Sequence, residues 1–215
     1  MKKIIGLLVG MLLCGGVASA QWSVGAGYVH AGLTRRAATE RLGEKAAFDG
    51  VYAGIGYALP LGGGFRFTPG VYYEFLGRGE KTELVKLDFL GETQEQYLSV
   101  PLTFDFGVAL SPDIRLVLFA GPTVRFGLSS ITSYNLAWDI KGFEVLQGGL
   151  GDNNYNDGYY SRFDLLLGGG IALELLDHWR LQVGCDAGLL NRYIGEEEGT
   201  RMHSSRLTAG IAYLF

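Results

Sequence analysis

Alternation of apolar and polar residues, repeated along nearly the whole chain, restricts this sequence more than any other feature. Residues 65–75, FRFTPGVYYEF, place Phe65, Phe67, Pro69, Val71, Tyr73 and Phe75 on one side and Arg66, Thr68, Gly70, Tyr72 and Glu74 on the other. A period of two marks an extended strand with two different faces. Residues 97–108 set Leu98, Val100, Leu102, Phe104 and Phe106 against Tyr97, Ser99, Thr103 and Asp105. In 114–126 the apolar set is Ile114, Leu116, Leu118, Ala120, Pro122, Val124 and Phe126, and the opposite face includes Arg115 and Arg125. The runs RFDLLLGGGIALEL and WRLQVGCDAGLL put Arg162, Asp164, Glu174, Arg180, Gln182 and Asp186 on the polar side. The last run, RLTAGIAYLF, carries Leu207, Ala209, Ile211, Tyr213 and Phe215 at every second position, with Arg206 opposite. Residues 22–29 and 51–59 alternate more faintly, because glycine and alanine fill their second face. Eight strands result.

The connections between them alternate in length. Long polar segments fall at residues 35–49, 77–95, 129–160 and 194–204, and tight turns at LGGG (61–64), SPD (111–113) and LDH (176–178). An even number of strands, with short turns at one end and long loops at the other, is the plan of a bacterial outer-membrane barrel. Most runs also supply the roughly 9–11 tilted residues that cross a hydrocarbon layer. The expected fold is therefore all-β, an eight-stranded antiparallel up-and-down transmembrane barrel, with both chain ends on the periplasmic side. In lipid every backbone donor and acceptor needs a partner, so a spanning sheet must close on itself. That requirement explains a chain whose apolar alternation runs to its last atom: the final strand has to pair with the first along its whole length.

A soluble sandwich or lipocalin also alternates, with its apolar face turned inward. The polar face argues for a membrane instead. It carries Arg66, Glu74, Asp105, Arg115, Arg125, Arg162, Asp164, Glu174, Arg180, Asp186 and Arg206, six arginines and five acids without a lysine. Arginine suits enclosed paired networks because its planar fork satisfies two carboxylate oxygens at once. These residues are expected to line the lumen, which in an eight-stranded barrel is just wide enough for side chains to fill. A filled lumen argues against a passive channel; a small porin or transporter is the alternative, and it predicts ionic conductance.

The opening MKKIIGLLVGMLLCGGVASA has a basic start, an apolar stretch and a small-residue site at Ala18-Ser19-Ala20, the layout of a secretory signal peptide over residues 1–20. The barrel domain is then expected over 21–215. The apolar stretch is short and glycine-interrupted for a membrane anchor, and Leu13 before Cys14 is bulky for a lipid-attachment site. Loss of Lys2 and Lys3 takes the balance from 18 basic against 22 acidic residues to 16 against 22. A mildly acidic chain is not a nucleic-acid binder, which needs clustered lysine and arginine. Only Cys185 remains, so no disulfide framework supports the fold.

Candidates for chemistry are sparse. Among the three histidines, His30 tops the first strand, His178 lies in a turn, and His203 stands beside Ser204 and Ser205 near the acids Glu196, Glu197 and Glu198. A serine, histidine and acid at the outer rim is a set that activates a hydroxyl for acyl transfer or deacylation, but the spacing matches no nucleophile motif, and the chain is expected not to be an enzyme. GDNNYND (151–157) and the triple glutamate gather oxygens without calcium-loop spacing. Solvated loop is the expectation for both, with no metal and no cofactor. The third long segment holds Tyr134, Trp138, Phe143, Tyr155, Tyr159 and Tyr160, aromatics suited to protein or glycan contacts, with Tyr159 and Tyr160 alternatively anchoring the outer aromatic girdle.

QYLSVPLTFDF (96–106), LFAGPTVRFGLS (118–129), the glycine-rich LLLGGGIALEL (165–175) and the terminal GIAYLF resemble strands of the PorT-like outer-membrane β-barrel proteins, a porin-family group common in Bacteroidetes. The resemblance implies the barrel fold and residence in outer-membrane lipid, with one member tied to protein secretion and no transferable site residues. The role expected of this chain is a non-enzymatic one in the cell envelope, in a secretion or adhesion complex. Tyr213 and Phe215 look like the terminal signal read by the outer-membrane assembly machinery.

Overall fold

The computed structural model describes residues 21–37, 44–84, 87–140, 143–156, 160–195 and 199–215; the expected signal peptide lies outside them. Among the described residues strand pairing consumes most of the chain, in nine strands: β1 (Gln21–Arg36), β2 (Glu44–Gly62), β3 (Phe65–Leu84), β4 (Leu87–Ser111), β5 (Ile114–Ile140), β6 (Phe143–Asn153), β7 (Phe163–Leu175), β8 (Trp179–Gly188) and β9 (Arg201–Leu214). Eight of them form a closed antiparallel ring, in the order β1, β2, β3, β4, β5, β7, β8, β9. β9 returns to β1 from Ser23↔Leu214 to Arg36↔Arg201. The Phe215 amide adds one more bond, to the Trp22 carbonyl at 2.9 Å. No backbone edge is left open inside the bilayer, as a spanning sheet requires.

The three tight turns fall where the sequence places them. Gly62, Gly63 and Gly64 all have positive φ, at 92°, 62° and 85°, which glycine adopts without a Cβ clash. Leu176 and Asp177 adopt φ of 53° and 58° without being glycine, and the Leu176 carbonyl faces His178 Nδ1 at 2.6 Å. Gln21 Nε2 donates to the Asp177 carbonyl and the Leu214 amide to that of His178, at 3.2 and 2.7 Å. The first and last strands thus begin and end at the short-turn rim.

The apolar set of each strand faces outward. Val51, Leu207 and Leu167 are 60, 56 and 51 % exposed, a cost in water that lipid removes. Aromatic pairs mark the periplasmic edge of this belt: Trp22 with Tyr57, Phe65 with Phe106, and Trp179 with Tyr213, at centroid separations of 4.7 to 5.1 Å. The faint alternation of β1 and β2 has a steric cause. A Cβ at Gly27 would fall 2.3 Å from the Ala209 carbonyl oxygen and 2.8 Å from Tyr52 Cε1, and one at Gly54 would fall 2.2 Å from the Val71 carbonyl oxygen and 2.6 Å from Tyr72 Cδ1. Inward glycines let the neighbouring strands approach and leave the space that the lumen's tyrosines occupy.

The long segments differ from the loops expected of them. β3 and β4 pair from the membrane up to Leu84↔Leu87, and β4 stays paired with β5 to Leu87↔Trp138. β6 then folds back on β5 from Ile140↔Phe143 to Ile131↔Asn153. Residues 77–84, 87–95 and most of the described part of 129–160 are therefore a continuation of the barrel wall into a sheet ordered β3, β4, β5, β6 above the rim. Hydropathy misses it because stretches such as 80–83, EKTE, carry no period of two although backbone pairing continues through them. A bulge at Gln96/Tyr97 marks the point where this sheet leaves the ring, as bulges do at barrel rims.

Candidate functional site

The lumen holds two layers of ion pairs. In the periplasmic layer, Asp105 Oδ2 receives Arg180 Nη1 at 2.6 Å and stands 3.6 Å from Arg66 Nη2. Glu174 accepts both Arg66 terminal nitrogens, one at 3.2 Å, and meets Arg180 at 3.5 Å. In the middle layer, Glu74 accepts Arg125 Nη2 and Ser99 Oγ, each at 2.6 Å, and also Arg206 Nη1. Arg206 reaches back to Asp186 at 2.8 Å. The register explains the convergence: Arg66↔Asp105, Glu174↔Arg180 and Asp186↔Arg206 are direct cross-strand neighbours, and such pairs have Cβ atoms about 5 Å apart. Between the layers lies a cavity of about 100 Å³ against Tyr52, Tyr72, Phe119 and Gln182. Gln182 joins the layers to its wall by accepting from Arg180 Nε at 3.1 Å and donating to the Tyr52 hydroxyl at 3.4 Å.

Three of the expected lumen residues stand apart. Arg115 is 47 % exposed at the periplasmic rim, with Nη1 only within 4.0 Å of Glu174. Arg162 precedes β7 and turns to the carbonyls of Gly127 and Leu128 and to Asn156, at 3.0 to 3.3 Å, so it caps strand ends and joins no carboxylate among the described residues. Asp164 is fully buried and accepts Ser204 Oγ at 2.6 Å; no cation lies within ion-pair distance among the described residues, and its Oδ1 has no hydrogen-bond partner. The remaining eight make the two layers.

Above the middle layer the chemistry changes. Arg125 lies over the Tyr97 ring, 3.9 Å from its centroid, a cation–π contact. Beyond Tyr97 opens an outer vestibule of about 670 Å³, lined by Arg35, Lys45, Arg78, Arg192, Glu95, Phe48, Thr93, Thr132, Tyr155 and Tyr160 among others. Its carboxylate, Glu95, is held by hydroxyls, from Tyr97 at 2.6 Å and Ser130 at 3.2 Å. Arg192, between β8 and β9, is 3 % exposed and donates to the Tyr155 hydroxyl at 3.3 Å and the Ser161 carbonyl at 3.5 Å.

The GDNNYND segment is not a solvated loop where it is described. Asn154 donates to Ser130 Oγ and Thr132 Oγ1 at 3.0 and 3.1 Å, Asn153 Oδ1 accepts the Ser130 and Tyr155 amides at 3.2 Å, and Tyr155 is buried. The Asn153 amide oxygen is spent on backbone, and no metal-ligand cluster occurs among the described residues. Tyr160 bridges to Tyr193 and lines the vestibule rather than the lipid girdle, and burial pushes its phenol up. Tyr159, Asp157, Glu196, Glu197, Glu198 and the side chains of Tyr134, Trp138 and Phe143 lie outside the described residues.

Strand alternation divides the rim serines. Ser204 points inward to Asp164, whereas His203 and Ser205 are exposed on the outer face. Ser205 Oγ donates to the Gly32 carbonyl at 3.5 Å. On the same face His30 Nδ1 meets Asp49 Oδ1 at 2.7 Å, and that oxygen also accepts the Tyr28 hydroxyl. His178 remains in its turn.

Sequence matching adds the family. Residues 18–192 match the outer membrane protein beta-barrel domain. The chain belongs to that family. A bacterial outer-membrane location goes with it, and the eight-stranded ring is its barrel. No curated protein sequence matches the chain. This barrel-domain protein is similar in shape to Ail of Yersinia pestis, solved with the heparin analogue sucrose octasulfate, at 12 % identity, TM-score 0.45, 92 % of this chain and 99 % of that one. It is also similar to Neisserial surface protein A, at 16 % identity, TM-score 0.43, 92 % and 99 %, and to the outer membrane enzyme PagL, at 12 % identity, TM-score 0.40, 91 % and 98 %. At such identities these are likenesses of form, and no role passes from them.

Proposed function

We propose that this protein is a non-conducting, non-enzymatic envelope barrel of the PorT-like kind whose working part is its extracellular end, serving adhesion or a secretion complex. The observation that carries this reading is the sheet raised above the rim. Its outer strand β6 pairs with β5 on one edge and with no strand on the other among the described residues, and an open strand edge accepts another extended chain through main-chain hydrogen bonds. The bordering β3 edge carries Arg78, Glu80, Lys81 and Glu83, whereas β6, FEVLQGGLGDN, holds few charges. Charge blunts an edge, so β6 is the edge left for a partner.

The test compares cells displaying the full chain with cells displaying a chain that lacks residues 134–150, at equal surface amounts and equal heat-modifiable gel migration. Surface adherence or cell–cell aggregation is expected only with the full chain; equal behaviour sinks the reading. Planar-bilayer recordings of the refolded protein are expected to show no conductance steps. A lipid-modifying rim enzyme is the second reading, favoured by the outward His30–Asp49 contact beside Ser205. It predicts that His203→Ala or Ser205→Ala changes outer-membrane lipid composition, whereas the recognition reading expects no change. Tyr213 and Phe215 serve in this proposal as the segment that the assembly machinery reads.

A further inference from the structure

We infer that the outer vestibule is a binding site for an anionic saccharide, a sugar carrying phosphate, sulfate or carboxylate groups. The argument is independent of the β6 edge. In the lower lumen four of the five acids meet an arginine at ion-pair distance, whereas in the vestibule wall Arg192 and Lys45 stand with Glu95 and make no ion pair among the described residues. Glu95 is already engaged by Tyr97 and Ser130. Arg192 is the deciding group. It is almost fully buried and lines the cavity, it has no carboxylate within 4 Å among the described residues, and its Nε has no hydrogen-bond partner. A buried guanidinium normally finds a carboxylate or phosphate that satisfies its fork. Here the open space beside it is large enough to bring one.

The walls set the class of ligand. A cavity of about 670 Å³ lies within the roughly 300–1,000 Å³ range of small-molecule sites, and it fits one to three sugar rings. Phe48, Tyr155 and Tyr160 offer flat apolar surface, which suits the faces of a pyranose, while Lys45 at its exposed edge adds a second cation. The Thr93 and Thr132 hydroxyls bond each other at 3.1 Å and stand in the wall as exchangeable partners for ring hydroxyls.

The test is calorimetric titration of the full refolded barrel in phosphatidylcholine bilayers with glucose 1,6-bisphosphate, trigalacturonic acid and neutral maltotriose. Saturable binding of the two anionic probes, absent for maltotriose and weakened as salt rises, is the expected result. Arg192→Gln is expected to weaken binding about tenfold or more, the range of a lost charge-assisted hydrogen bond. Because Arg192 is buried, a second variant guards against misfolding: Lys45→Glu, exposed at the rim, is expected to weaken binding several-fold with unchanged gel migration. Repeating the titration with lipopolysaccharide in the bilayer separates the sources. A lowered apparent affinity assigns the site to the glycolipid headgroup of the protein's own membrane, and an unchanged one to a free saccharide. Equal binding of neutral and anionic probes, no binding, or binding indifferent to both substitutions overturns the inference. None of these readouts depends on β6, so the adhesion reading stands or falls separately.

Discussion

The lower lumen and the outer vestibule are built from the same residue types and treat charge in opposite ways. Below Tyr97, four carboxylates meet arginines at ion-pair distance, two in each layer. Above it, Glu95 is bound by hydroxyls and Arg192 by a hydroxyl and a carbonyl. The difference follows from what each group faces. A charge enclosed in the bilayer-spanning core needs a partner, an arginine for four of the acids and the Ser204 hydroxyl for Asp164. Arg192 is as deeply buried but lines an open cavity, where a ligand can bring the anion that the fold leaves out. The lesson is that the lower half is a structural filling and the upper half a surface.

The sharpest way to break that contrast is Glu74→Ala. It strips the middle layer of the carboxylate shared by Arg125 and Arg206 and strands the buried Arg125 guanidinium, while Arg206 keeps Asp186. Removing one member of a buried pair costs about 3–5 kcal/mol, so urea unfolding of the refolded barrel should shift by that amount. Replacing Glu74, Arg125, Arg206 and Asp186 together by apolar residues of similar volume should recover most of the loss. A single substitution that leaves stability unchanged would show that water fills the layer and that the two halves are alike.

Steric filling makes the next prediction. A Cβ at Gly170 would fall 2.5 Å from Phe119 Cζ, beside the cavity between the layers. The same Cβ would fall 2.1 Å from the Val183 carbonyl oxygen, so Gly170→Ala should cost about 3 kcal/mol or more, the upper end of overpacking penalties, and Phe119→Leu in the same chain should relieve only the part due to the ring. Non-additivity in that double-mutant cycle is the quantity to measure.

These contrasts also explain how far the sequence could be read. The ring is legible because lipid outside and lumen inside impose a period of two on every crossing strand, down to the parity of Arg66, Glu74 and Arg206. Parity fails one residue beyond a strand. Arg162 has the same parity as Asp164, yet it precedes β7 and turns aside to carbonyls. The raised sheet is hidden because its segments lack the alternation: Glu80, Lys81, Thr82 and Glu83 follow one another as polar residues although their backbone stays paired with β4. Arg192 lies in no strand, so no periodicity points to it. The weakness of alternation in β1 and β2 is itself a signal, since glycines on the inner face imply bulky neighbours across the lumen.

In the upper half the expected penalties fall. Arg192→Gln removes its bond to the Tyr155 hydroxyl and leaves no carboxylate stranded within 4 Å among the described residues, so a loss of about 1 kcal/mol is expected. That is well below the effect of Glu74→Ala, measured in the same urea series. An equal cost at both positions would mean that Arg192 anchors the mouth as firmly as the layers anchor the core.

The smallest effect is expected at Lys45, and it carries the most pointed information. Its side chain is exposed at the vestibule's edge, and exposed substitutions away from special features usually stay within about 0.5 kcal/mol. Lys45→Glu should therefore leave the unfolding curve in place while reversing a charge that faces the cavity. Salt should make the two variants diverge. Exposed charges are screened with a Debye length of about 8 Å at physiological ionic strength, so any residual effect of Lys45→Glu should vanish between low and high salt, whereas the Glu74→Ala loss, set by pairs shielded from solvent, should persist. Persistence at both positions would erase the distinction between filling and surface; its loss at Lys45 alone places the boundary at Tyr97.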